Sequence, residues 1–258
     1  MKSSHPEIRP PRLLVVGAGF LGARVARQAR LGGWEVVPVV RSEVSAQSLA
    51  PEFPGVMAAD ALREDFWEKL PQPWEGLVWA LSPSSVQEIH FNNLQRQGGK
   101  LVAQWAYRHR VAMIMISSTS VYAEDAGGWV DETSPLAWSD DRSAALAEAE
   151  KATREAGGSV LRCAGIYGPG RELKSGAEGP ERWLNVVQVE DAALAVGLVL
   201  GRRGEIYNVC EDEPLRRGRI GGQWPEGRRA RRNKRVRNAK LRGQGWQPLW
   251  QAGERVAR

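Results

Sequence analysis

Four hydroxyls stand in a row at Ser117, Ser118, Thr119 and Ser120, followed by Val121 and the phenol of Tyr122. They end the run Ala112 to Ile116, which has the length and composition of a buried strand. Such a strand end either presents hydroxyls to a substrate oxygen or simply runs into a polar loop. A second group, Gly17-Ala18-Gly19-Phe20-Leu21-Gly22, is a GxGxxG motif. It closes the apolar run RLLVV and opens the amphipathic stretch Phe20 to Leu31, so it falls at a strand-to-helix turn, the context that gives the motif meaning. There the first glycine permits the tight turn, the second lets backbone approach a pyrophosphate, and the third lets the helix pack on the strand. The helix N-terminus adds N–H donors and positive potential.

The end of the second strand decides which dinucleotide is expected. An acidic residue about 20 positions past the motif would bond the ribose of NAD. This chain has Val40-Arg41-Ser42 there, with no Asp or Glu before Glu43. Arg41 is suited to pair with a 2′-phosphate and Ser42 to donate to it, so the expected cofactor is NADP, with NAD as the alternative.

The elements that must position these groups alternate. Strands are expected at Arg12 to Gly17, Trp34 to Val40, Val56 to Ala58, Leu77 to Leu81, Ala112 to Ile116, Ser159 to Ala164 and, last, Glu205 to Val209. Helices are expected from Phe20 to Leu31, around Leu101 to Ala106, from Arg142 to Glu155, and from a cap at Asp191 to about Leu200. This order predicts an α/β fold, a Rossmann-type doubly wound parallel sheet with a small C-terminal substrate-side lobe. The expected organisation is an N-terminal extension over 1–11, a Rossmann NAD(P)-binding domain over 12–214 and a basic C-terminal lobe segment over 215–258. A substrate-lobe insertion is expected at about 168–190.

Composition narrows the function classes. The chain has 258 residues, 42% hydrophobic, and so can bury a sizeable core. The N-terminus MKSSHPEIRPPR lacks the apolar stretch of a secretory signal. The most apolar later stretch, Ala192 to Leu200, is too short to span a bilayer, which needs ~20 residues. A cytoplasmic protein with no membrane contact is expected. Cys163 and Cys210 lie in strand-like apolar contexts and read as buried, reduced thiols. Scattered histidines and no CxxC or HExxH give no metal site. The net charge of +6 conceals a basic end, since residues 214–258 hold 14 Lys or Arg against 2 acids. No aromatic interrupts the charges from Arg228 to Arg242, so a solvated or anion-facing lobe is favoured over a nucleic-acid surface. The 11 Trp are spread along the chain and read as packing residues.

The glycine motif, SSTSVY at 117–122, WVDETSP at 129–135, LRCAGIYGPGR at 161–171, NVVQVEDAA at 185–193 and YNVCEDEP at 207–214 occur in one order. In that order the chain resembles the extended short-chain dehydrogenase/reductases, most closely the NAD-dependent epimerase/dehydratase group. The resemblance spans about residues 12–214 and continues weakly through NAKLRGQGWQP at 238–248. It implies that Gly17, Gly19, Phe20, Leu21 and Gly22 hold the cofactor phosphates and that Asp60 contacts adenine. It implies that Ala80, Leu81 and Ser82 line the ribose, and that Ser118 is the active-site hydroxyl. Tyr167 is placed to touch the nicotinamide or the substrate. Gln188 stands where many relatives carry His, and no catalytic role is assigned to it.

One departure is decisive for chemistry. The family uses a Tyr with a Lys four residues on along one helix face, the ammonium lowering the phenol's pKa from about 10. Matching the helix puts Arg142 and Leu146 at those places, and there is no Tyr between Ala123 and Ile166. Arginine stays protonated and cannot shuttle the proton. Tyr122 reads as packing, which leaves Ser118 and Tyr167 as the candidate catalytic groups.

The expected function is therefore an atypical NAD(P)-binding oxidoreductase or epimerase/dehydratase-like enzyme. Its substrate would be a small hydroxyl- or carbonyl-bearing metabolite or a nucleotide sugar, and a homodimer is compatible with the fold. The alternative is an NADP-binding regulatory or assembly protein without turnover. A polyanion binder acting through the basic end is the third reading.

Overall fold

The computed structural model describes residues 9–81, 88–173, 179–218 and 232–252. Seven strands form one parallel sheet: β1 (Arg12–Val16), β2 (Glu35–Val40), β3 (Met57–Ala58), β4 (Gly76–Trp79), β5 (Ala112–Ser118), β7 (Ser159–Cys163) and β11 (Ile206–Val209). Their spatial order is β11-β7-β5-β4-β1-β2-β3. The sheet is a doubly wound α/β sheet, as the alternation of elements predicted. The chain builds outward from β1 to β3, then returns across β1 to start the other half at β4. That reversal opens a crevice above the carboxyl ends of β1 and β4, where open α/β sheets place ligands.

The strands read as near-continuous apolar runs because helices cover both faces. Leu14, Val15, Leu77, Val78, Ile114, Val160 and Leu161 are fully buried. On one face lie α1 (Gly22–Leu31) and α7 (Val189–Val199), which pack together. The other face carries the helical run α4 (Glu88–Asn93), a π-helical turn (Leu94–Gly98) and α5 (Gly99–His109), packed on α6 (Asp141–Glu155). Gly98 lets the run close on the sheet, and Gly99 lets it close on α6. A Cβ on Gly98 would stand 2.9 Å from the Trp79 ring, and one on Gly99 2.7 Å from the Ala149 methyl. Trp67, in α3 (Glu64–Glu68), and Trp105 are buried with ring centroids 5.1 Å apart. Each donates its indole N–H to a carbonyl, on Ala61 and Trp67 respectively. Cys163 and Cys210 are buried free thiols. Among the described residues no helix is long and apolar enough to cross a membrane.

Three expectations are corrected. The first helix begins at Gly22, because Gly17 to Leu21 are used for the turn. Glu205 to Val209 is not the last strand. β12 (Leu215–Arg217) pairs antiparallel with β9 (Arg182–Leu184), and β13 (Arg235–Val236) pairs with β6 (Trp129–Val130). These strands are two or three residues long and carry no apolar run to announce them. Asp191 does not cap α7. Gln188 does, its side chain accepting from Glu190 N. Asp191 lies inside the first turn, fully buried, and its carboxylate accepts the backbone N–H groups of Leu249 and Trp250. It therefore staples the chain's last described segment to the start of α7.

Candidate functional site

The glycine loop sits on the crevice floor. Gly17 has φ +95°, and a Cβ there would lie 2.9 Å from the Ala80 carbonyl and 2.9 Å from the Leu81 side chain. A Cβ on Gly22 would lie 2.1 Å from Gly17 O, so only glycine lets α1 start this close to the strand end. Gly19 differs from both. It is exposed, and a Cβ there would meet nothing within 4 Å. The protein's own packing explains glycine at 17 and 22, and gives no reason for it at 19.

Phe20 is held between two guanidiniums, Arg24 at 4.4 Å and Arg171 at 5.5 Å from its ring centroid. Arg24 also donates to Phe20 O and Pro169 O and pairs with Glu190 at 3.1 Å. One side chain thus ties the glycine loop, the GPGR hairpin and the start of α7 together. Leu21 is buried beneath the loop. Ala80 and Leu81 are half-buried against Gly17. Ser82 lies outside the described residues.

At the end of β2, Arg41 is exposed. Ser42 caps α2 (Glu43–Leu49), its hydroxyl accepting from Ser45 N at 3.2 Å. Asp60 is also exposed, and its carboxylate accepts from Leu62 N at 3.0 Å. Ala59 N donates to Val40 O, which brings this turn beside Arg41.

The hydroxyls at the end of β5 divide by strand alternation. Ser117 and Thr119 are buried, Ser118 is half-buried and Ser120 is exposed. Ser117 Oγ donates to Glu150 Oε1 at 2.5 Å. Glu150 lies 2.6 Å from Arg162 Nη2 and also accepts from its Nε, with both side chains almost fully buried. The guanidinium stands 4.9 Å from the Tyr122 ring centroid. Burial opposes the charge on Arg162, but hydrogen bonds to Glu150 and its negative charge outweigh that and raise the pKa. Tyr122 is fully buried and donates to Asn208 Oδ1 at 2.6 Å, and burial pushes its phenol up to about 12. Tyr122 is a packing residue, as expected. Ser118 Oγ accepts from Ser120 N at 3.1 Å and is turned away from this network.

Helix α6 delivers the missing proton-transfer positions. Asp140 caps it, and Ser143 Oγ donates to Ser120 O at 3.1 Å. Glu150 meets Ser117 two turns further on. Arg142, Leu146 and Glu150 follow one another at i, i+4 and i+8, so they form one stripe on a helix that starts beside Ser120 and runs back along β5, as the Ser143–Ser120 and Glu150–Ser117 bonds show. Leu146 is buried, and the Arg142 guanidinium carbon stands 3.3 Å from the centroid of the Phe91 ring. Leu146, where the resemblance puts the family's lysine, carries no ammonium.

Tyr167, in β8 (Gly165–Tyr167), is half-buried and donates to Glu211 Oε1 at 2.6 Å. Glu211 Oε2 accepts from Ala252 N. Burial raises the Glu211 pKa, against the opposing pull of these two donors. Sequence reading missed Glu150, Arg162, Asn208 and Glu211. The available signal was the charge at Arg162 in the centre of the apolar strand SVLRC, which demands a buried partner.

No protein-family model matches the chain. Protein YeeZ of Escherichia coli is 29% identical over 229 residues, covering 77% of each chain. The UDP-glucose 4-epimerase of Thermotoga maritima, solved with UDP-glucose, superposes with a TM-score of 0.78 at 17% identity. That match covers 94% of this chain and 95% of the epimerase. The dTDP-glucose 4,6-dehydratase of Streptomyces venezuelae, solved with NAD, gives 0.77 at 20% identity, covering 96% and 95%. The chain has the fold of the NAD-dependent epimerase/dehydratase proteins. That agrees with the resemblance drawn from the ordered motifs, and the departures at Arg142 and Leu146 stand within it.

Proposed function

We propose that the chain binds NADP(H) in the crevice above β1 and β4 and acts on a small molecule bearing a hydroxyl or carbonyl. The observation that carries this reading is Gly19. Its neighbours Gly17 and Gly22 are glycine for reasons internal to the fold, whereas Gly19 faces open space. A bare backbone there is what close approach of a pyrophosphate requires. Gly17, Gly19 and Gly22 would hold the phosphates, with Phe20 and Leu21 completing the loop. Arg41 and Ser42 would read a 2′-phosphate, Asp60 the adenine, and Ala80 and Leu81 the ribose. When bound, the nicotinamide would supply or accept the hydride. Ser118 would bond the substrate oxygen, and Tyr167 would line the opposite wall.

A second reading, a dinucleotide-binding protein without turnover, is favoured by one specific observation. Leu146 is buried where the family's lysine would act. The test for the cofactor site is titration with NADPH and NADH, followed by tryptophan fluorescence. Gly19→Val should leave thermal stability within a degree or two and abolish binding of both. Arg41→Glu should weaken NADPH at least tenfold and NADH little. Unimpaired NADPH binding by Gly19→Val removes the site from this loop.

A further inference from the structure

Lys234 is only 6% exposed, and its ammonium makes no hydrogen bond or ion pair with the described residues. Lysine normally keeps its charged end in open water; here the side chain is almost wholly buried, and the ammonium, which is not itself sealed from solvent, has no protein partner among the described residues. Its acidic neighbours are engaged elsewhere. Glu124 Oε1 accepts from Ala126 N and Gly128 N, and Asp125 Oδ1 accepts from Asn233 N. Burial first, then the like charge of Arg232, lowers the Lys234 pKa to about 8, against the pull of Asp125 and Glu124.

The backbone around Lys234 is fixed between the two candidate catalytic strands. Lys234 O accepts from Asn185 Nδ2, and Val236 N donates to Asn185 Oδ1. Asn185 O accepts from Gly165 N, at the start of the strand that carries Tyr167. On the other side, Arg232 lies 3.8 Å from Asp140, the residue that caps α6 and adjoins the Ser120 turn through Ser143. The segment therefore bridges the Tyr167 strand and the hydroxyl end of β5.

We propose that Lys234, with Arg232 beside it, anchors an oxyanion of the substrate, a carboxylate or a phosphate. The substrate class is then an anionic hydroxyl- or carbonyl-bearing small molecule, an inference that rests on the substrate cleft proposed above. An anion there would supply the partner that the fold withholds from the ammonium. It would also shift Lys234 toward its charged form.

The test is thermal unfolding of the full chain at pH 7.5 in inorganic phosphate or malonate, against chloride at equal ionic strength. The wild type should gain several degrees in Tm over chloride with at least one of the two anions. A phosphate-only response selects a phosphoester substrate and a malonate-only response a carboxylate. Lys234→Met should lose that gain while being at least as stable as the wild type in chloride. Gly19→Val should keep the gain, which separates Lys234 from anion binding at the glycine loop. The proposal is overturned if the wild type gains nothing over chloride, if Lys234→Met gains as much, or if Lys234→Met is markedly less stable in chloride. NADPH titration of Lys234→Met should match the wild type. A chain that binds no NADPH yet shows the Lys234-dependent gain overturns the cofactor reading and leaves the anion anchor standing.

Discussion

The pair Glu150–Arg162 offers the sharpest test of how the hydroxyl end of β5 is held. Its charges are 2.6 Å apart, with side chains 3% and 2% exposed, and Ser117 donates to the same carboxylate. Glu150→Gln keeps the shape and removes the negative charge. It leaves a guanidinium sealed beneath the Tyr122 ring, with the Glu132 carbonyl 3.5 Å from Nη1 as a weak acceptor. Breaking one side of such a pair costs about 3–5 kcal/mol. For a chain of 258 residues each kcal/mol moves Tm by roughly 2 °C, which gives a fall of roughly 6–10 °C. Removing both charges behaves differently. Glu150→Leu with Arg162→Met replaces the pair by apolar groups of similar size, a change that is often neutral or stabilising by about 1–4 kcal/mol. Against that, the Ser117 hydroxyl loses its acceptor, at about 1–3 kcal/mol. The double variant should therefore lie within about 3 kcal/mol of the wild type, a balance of those two terms. Urea unfolding followed by circular dichroism, on wild type, both single variants and the double variant, closes the cycle. Additive single effects, or a Glu150→Gln cost under about 1 kcal/mol, would refute a buried ionic anchor here.

Two further outcomes are expected. Ser118→Ala should reduce turnover by about 10²–10³ on any aldehyde, ketone or nucleotide sugar that the wild type converts, the usual cost of losing one such donor. NADPH affinity should be unchanged, and indifference of kcat would move the active site elsewhere. The second outcome is that stability should fall as pH rises above the ordinary carboxylate range. Burial raises the pKa values of Asp191, Glu211 and Glu132, so the folded chain keeps protons there that the unfolded chain has released. This stability is regained on acidification toward about pH 4, where the unfolded carboxylates also take up protons. Below that, the lowered pKa values of Glu75, Asp131 and Asp141 reverse the trend. Glu211→Gln, which can still accept from Ala252 N and can donate to Tyr167, should flatten the slope of Tm against pH. An unchanged slope removes Glu211 from the account.

The sheet was legible because its strands are apolar on both faces and end at glycine or polar turns. Apolar runs located each of the seven, to within a residue or two. The glycine motif was legible because glycine has few substitutes at a φ of +95° or beneath a carbonyl 2.1 Å away. Other features were invisible for identifiable reasons. Helix α3 has five residues, too few to show a period. The strands β12 and β13 exist through pairing with distant partners and not through their own composition. Asp191 was read as a cap because capping residues also carry short polar side chains. Its real partners, the amides of Leu249 and Trp250, lie far along the chain. The buried network shows the same limit. A lone arginine in a strand demands a partner, but sequence does not say which of many acids supplies it.

The chemistry left to this site turns on the sign of one charge. In the family, an ammonium beside the phenol stabilises the phenolate and lets the proton leave. Tyr167 instead has an acidic neighbour, Glu211, whose Oε1 accepts the phenol's hydrogen bond at 2.6 Å. That bond fixes the orientation of the Tyr167 phenol. Arg142, held on the Phe91 ring, supplies positive charge but no exchangeable proton near neutrality. What remains at β5 is Ser118, which can orient a substrate oxygen. Hydride transfer to or from a carbon so held needs alignment more than acid–base help, which contributes about 10²–10⁴-fold. An active form of this chain would accordingly be slow by that factor, or would draw its proton from Tyr167 or from water. A chain evolved only to hold the dinucleotide would use Ser118 for nothing beyond its bond to Ser120 N, and so the effect of Ser118→Ala on turnover, not the strength of NADPH binding, separates the two readings.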